Sequence, residues 1–133
     1  GRFDPLQVIR EVDRAYRMGD LAPGLSSVIV YDPGLQVDHV SVADLCAIRD
    51  CVARNEAARP LRAGTFLGLF VAAERESQIV ANVYAATWKG AVAPPPQHAV
   101  AASIAEAEAR LGVGPLAGQI TALRPPPGLR YLA

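Results

Sequence analysis

Two apolar runs, SSVIVYD at 26–32 and FLGLFVAA at 66–73, admit only a narrow set of folds. Both are rich in β-branched or aromatic residues, both are short, and neither alternates with polar residues. A run of that kind reads as a strand covered on both faces. Such strands belong to parallel sheets, whose crossover connections lay helices over the two faces. The segments around the two runs therefore have to supply helices, and they carry the signals for them.

DPLQVIREVDRAYRMG, at 4–19, places Asp4 as N-cap, Pro5 at the first helical position and Gln7 at capping-box spacing. Leu6, Ile9, Val12 and Tyr16 recur at helical spacing and are expected to face inward, and Gly19 stops the helix. After the Pro33–Gly34 turn, Ser41 is expected to cap a helix from 42 to about 57, with Leu45, Ile48 and Val52 inward. ERESQIVANVYAATWKG, at 74–90, reads as a third helix with Ile79, Val80, Val83, Tyr84 and Trp88 inward. A short third strand is expected at QHAVAA, 97–102. Ser103 and Glu106 then form a capping box for a fourth helix, IAEAEARLG. The order is α-β-α-β-α-β-α, which predicts an α/β fold with a small, mostly parallel sheet flanked by about four helices. Residues 113–133 form a Pro-rich C-terminal tail outside the 1–112 domain, with an edge strand expected at QITALR, 119–124.

Composition narrows function by exclusion. The chain has 133 residues, the size of one domain, with 13 basic and 13 acidic side chains and no net charge. This balance offers no electrostatic footprint for nucleic acid, and no apolar run is long enough for stable membrane insertion. Twelve of the basic residues are Arg, a coding bias expected of a GC-rich bacterium. Zero net charge removes long-range self-repulsion, so association with a second copy or another protein is expected. Cys46 and Cys51 would sit about 140° apart on one helix, too divergent to bridge. Reduced thiols and a cytoplasmic location follow as the expectation.

In order and spacing, residues 1–112 resemble the STAS-like fold, and more closely the SpoIIAA-like (STAS/SEC14-type) bacterial domain family. The resemblance rests on GRFDPLQVIREVDRAYR, on APGLSSVIVYD, where a turn feeds a strand ending in Asp, and on the Ser-capped helix VSVADLCAIRDCVARN. It continues through FLGLFVAAERESQIVANVYAATW and HAVAASIAEAEARLG. It implies a non-enzymatic protein-interaction or regulatory module, with no cofactor. Domains of this kind open with a β-hairpin that does not precede Asp4 here, leaving a sheet edge for the tail or for another chain.

The candidate site residues are Ser41, Asp32 and Ser103. In anti-sigma-factor antagonists of the STAS family a serine at the matching helix start is phosphorylated within a D-S-S-G-like motif. The stretch here, VSVAD, lacks the second serine and the glycine, and a plain N-cap accounts for Ser41. Asp32 and Ser103, with the 72–76 turn, would lie on the rim at the strands' carboxyl ends, where open α/β sheets bind ligands. An apolar small ligand there is the alternative function. Joining Asp32, His39 and Ser41 as a hydrolytic triad lacks a nucleophile-elbow motif. Two histidines on separate segments and no C-x-x-C spacing give no metal site.

Overall fold

The structure, a computed structural model, describes residues 1–59, 66–92, 95–111 and 129–132. Helix α1 spans Pro5–Met18, strand β1 Ser27–Tyr31, helix α2 Val42–Glu56 and strand β2 Phe66–Val71. Helix α3 follows at Arg75–Thr87, strand β3 at Gln97–Ala101, helix α4 at Ile104–Leu111 and strand β4 at Leu129–Leu132. The sheet order is β3-β2-β1-β4. The first three strands are parallel, and β4 runs antiparallel to β1. The expected α/β fold, with a small parallel sheet and four helices, is what the chain forms.

Local chemistry sets the helix ends. The Asp4 carboxylate accepts from the Leu6 and Gln7 amides at 3.1 and 3.3 Å, satisfying donors that no helical carbonyl can reach. Gly19, at φ +83°, takes the left-handed conformation that closes α1. On α2, the Ser41 hydroxyl accepts from Asp44 N–H at 3.1 Å, while the Asp44 carboxylate accepts from Ser41 N–H at 3.0 Å. The box at α4 is offset by one residue. Glu106 N–H donates to Ser103, but the Glu106 carboxylate reaches back to the amide of Ala102.

Strand alternation separates two cores. On one face, Tyr31, Leu67 and Phe70 meet Ala15 of α1, Leu45 and Ile48 of α2, and Val80, Ala81 and Tyr84 of α3. On the other, Val28, Val30, Leu69, Val71 and Ala101 meet Ile104 and Ala107 of α4. Leu67 and Phe70 share a face because the β2–β3 register shifts between Phe66 and Gly68. A bulge adds one residue and so resets the alternation. Helices α1 and α2 run side by side in the same direction, joined by Cys51 and Asn55 on Asp13 and by Glu56 on Tyr16.

Two inward assignments fail. Leu6 is 65% exposed and Ile79 is 51% exposed. Leu6 sits in the first turn of α1, beyond the stretch that packs on α2, and Ile79 lies at the margin of the stripe centred on Val80 and Tyr84. The proposed strand at 119–124 lies outside the described residues. The β1 edge is instead taken by β4. At the other end of the chain, Phe3 N–H donates to the Gln36 carbonyl and Gln36 N–H to the Gly1 carbonyl, both at 2.9 Å, tying the N-terminal residues to the β1–α2 loop. No helix among the described residues is long and apolar enough to cross a membrane.

These positions predict contrasting costs. Leu69→Ala, at a site 1% exposed, should lose about 2–5 kcal/mol in urea unfolding. Ile79→Ala should stay within about 0.5 kcal/mol of the parent.

Candidate functional site

The three rim residues are each placed by ordinary folding requirements. Asp32 follows β1 directly, and its carbonyl accepts from Leu35 N–H at 3.2 Å to close the turn. Gly34, at φ +77°, donates its N–H to the Glu74 carboxylate at 2.6 Å, so the start of α3 is latched to this turn. Ser103 follows β3, two strand spacings from β1, which separates it from Asp32 by roughly 10 Å. Ser41 is exposed and committed to its capping box. Its hydrogen bonds hold the Asp44 carboxyl below the usual carboxylate range, first through the Ser41 backbone and then through its hydroxyl. A phosphoryl group on Ser41 would therefore stand beside an anion already occupying the nearest amide. Like charges at that spacing repel.

Asp32, His39 and Ser41 are not brought into mutual contact among the described residues. His39 Nε2 donates to the Phe3 carbonyl at 2.5 Å, and Nδ1 lies 3.6 Å from Asp38. The histidine thus anchors the N-terminal segment to the loop. Both cysteines are free thiols. Burial, followed by the hydrogen bond to Asp13, pushes the Cys51 thiol up to about 12, so it stays protonated and inert at neutral pH. Cys46 receives a weak contact from Arg49 at 3.6 Å. No group of three or more metal-ligating side chains converges among the described residues.

A different site emerges between the sheet and the α1–α3 layer. A half-enclosed cavity of about 70 Å³ lies there, and none of Asp32, Ser41 or Ser103 lines it. Its walls include Ser27, Gly68 and His98, which stand in the amino-terminal halves of their strands. Ile29, Tyr31 and Phe70 line it too, so the cavity runs along the helix-covered face of the sheet, from Ser27 at one end of β1 to Tyr31 at the other. Ile48 and Val52 of α2 close it from the helical side, and Tyr31, Phe70 and Tyr84 supply aromatic walls.

His98 is the chemically distinctive member. Its ring stacks on Phe70 at 6.0 Å and 13°, and lies 5.5 Å from Trp88 and 5.8 Å from Tyr84 between ring centroids. Burial holds its pKa down at about 4, with the Pro96 carbonyl pulling part of the way back. The imidazole is neutral at pH 7 and so offers one donor and one acceptor nitrogen. Burial pushes the Tyr84 phenol up, and the neighbouring Trp88 indole draws it partly back. That approach falls outside hydrogen-bond geometry, which leaves the buried Trp88 Nε1 without a partner among the described residues. Burial likewise raises the Tyr31 phenol.

Beside the cavity, Tyr16 donates to one Glu56 oxygen at 2.8 Å, and Gly24 N–H donates to the other at 2.8 Å. Burial raises the Glu56 pKa more than these two bonds lower it. This carboxylate pins the α1–β1 connection to the end of α2. Nothing in the sequence marked it, because Glu near a helix end is usually a solvated charge. His98 was equally hidden, since its strand reads only as a short Ala-rich run. The one available signal was Gly68, a glycine inside an otherwise bulky strand.

No family model, no curated protein and no solved structure matches the chain.

The buried neutral histidine predicts a pH dependence. Unfolded His98 binds a proton below about 6.5, whereas the folded protein takes it up only near pH 4. Unfolding between these values therefore absorbs a proton, and stability falls as pH drops from 6.5 to 4. The slope should approach about 1.4 kcal/mol per pH unit in urea titrations. The difference between wild type and His98→Phe should isolate it, with the variant lacking that component of the slope.

Proposed function

We propose that the chain is a non-enzymatic association module of the STAS-like, SpoIIAA-like kind, working in the cytoplasm as a homodimer. The observation that carries this reading is the outer edge of β3, which pairs with no strand among the described residues. The Ala101 carbonyl accepts from Ala72 N–H on the β2 side at 2.9 Å. N–H and C=O of one strand residue point to the same side, and successive residues alternate, so His98 and Val100 turn their backbone groups outward. They form a short ladder template.

A second copy fits this edge better than an oppositely charged partner. The chain has no net charge to steer or repel. A two-fold axis at the β3 edge would pair each strand antiparallel with its own copy and join two four-stranded sheets into one. A two-fold contact uses the β3 edge of both copies, so it satisfies itself and gives a closed dimer instead of a fibre. The regulatory reading draws on the strand and cap pattern that the chain shares with STAS-like domains, and assigns the contact to the sheet edge and not to phosphorylation at Ser41.

Static light scattering should give twice the chain mass at high protein concentration. Val100→Pro removes an outward N–H while leaving the β2–β3 ladder intact. It should raise the dimer dissociation constant at least about tenfold, or about 1.4 kcal/mol. A strict monomer at every concentration would contradict the proposal.

A further inference from the structure

We propose that the cavity between β2 and the α1–α3 layer is a binding site for a small, uncharged aromatic molecule of the phenol class, its ring held among Tyr31, Phe70 and Tyr84 and its hydroxyl bonded to His98. This inference is independent of the dimer reading, which concerns the edge of β3 and not the interior.

Gly68 carries the argument. It occupies the middle of a central strand, where glycine weakens a sheet and leaves nothing to pack. Its backbone does not require glycine, because the left-handed glycines are Gly19, Gly24 and Gly34 among the described residues. The nearby register shift does not require it either, since the conformation at Gly68 is open to any residue. A Cβ built there would meet His98 Cδ2 at 3.4 Å and Phe70 Cζ at 3.5 Å, ordinary contacts that an alanine would satisfy. A residue with room for a side chain and no conformational reason to lack one leaves the cavity open. Glycine in a strand recurs where a ligand approaches the backbone closely.

The walls select the ligand. About 70 Å³ is small against the 300–1,000 Å³ or so of common ligand pockets, and roughly half the volume of an engineered cavity that admits benzene. The half-enclosed shape lets one ring seat its edge inside while its remainder faces the opening. Tyr31 and Tyr84 both meet Phe70 edge-on, at 87° and 79°, so the walls present both ring faces and ring edges, as aromatic packing prefers. Ser27 Oγ donates to the Leu67 carbonyl at 3.1 Å and Tyr16 to Glu56, so the remaining polar groups of the wall are the Tyr31 and Tyr84 hydroxyls and the His98 ring. Neutral His98 retains an acceptor nitrogen for an O–H donor. A charged ligand would lose its hydration with no counter-ion among these wall groups.

Trp88 is the only tryptophan and its ring lies 5.5 Å from that of His98, so its fluorescence reports occupancy. Titration of the wild-type protein with phenol should give a saturable change with a Kd on the order of 1 mM. Gly68→Ala should weaken it at least about fivefold while melting at or above the wild-type temperature. Val52→Leu, which fills the cavity from the helical side, should weaken it similarly and decides the matter if Gly68→Ala does not fold. Cyclohexanol, with the same hydroxyl and no π-face, should bind at least about fivefold more weakly than phenol. No saturation by about 10 mM phenol, unchanged affinity in a folded cavity-filling variant, or equal binding of cyclohexanol would each overturn the proposal.

Discussion

The helical layer is held to the sheet by one continuous row of rings. Phe3 meets Tyr31, Tyr31 meets Phe70, Phe70 meets Tyr84, and Tyr84 meets Trp88, with successive centroids 5.4–6.5 Å apart. His98 closes the row by touching Phe70, Tyr84 and Trp88 together. Aromatic pairs at these distances contribute about 0.5–1.5 kcal/mol each beyond their burial. More important is what the row joins: the N-terminal segment, β1, β2, β3 and α3. The α4 face has no such row among the described residues. Val28, Val30, Leu69 and Val71 meet there a short helix that contributes Ala107 and Ile104 to the contact.

Large rings cannot fill every corner that a bulged strand creates. Where Leu67 and Gly68 interrupt the β2–β3 register, the helices rest on ring edges and leave a void. A void in a wall of aromatics loses dispersion contacts and costs stability. That cost gives the proposed aromatic ligand something to recover. It also explains the low pKa of His98, which lies on the wall of an apolar space and faces no carboxylate among the described residues. Packing, cavity and protonation state are therefore consequences of one arrangement.

Most of the architecture was legible because it rests on local signals. Asp4, Gly19, Ser41 and Ser103 begin or end helices by hydrogen bonds that span two to four residues, and a sequence window of that width contains them. The uninterrupted character of 28–31 and 66–71 announced two covered faces. The failures required tertiary information. Leu6 and Ile79 fit helical spacing, yet the neighbouring helix and sheet do not extend over them. The capture of the β1 edge by residues 129–132 is a long-range pairing that an LRYL tetrapeptide does not advertise. For the candidate site, the expectation of a carboxyl-end rim followed from the behaviour of open parallel sheets in general. The cavity along the helix-covered face follows from a bulge and a glycine in β2.

The claim that the aromatic row, with the apolar packing of α1 and α2 beside it, binds the α1–α3 layer and the sheet into one unit, with α4 more weakly attached, is open to native-state hydrogen exchange. Amides of Leu69, Phe70 and Val30, and those in the middle of α2 and α3, should exchange only through global unfolding and share one free energy. Amides of α4 should open at a distinctly lower free energy, in a separate step. Exchange of Phe70 and the α3 amides by local opening, while α4 stays protected to the global limit, would contradict the account.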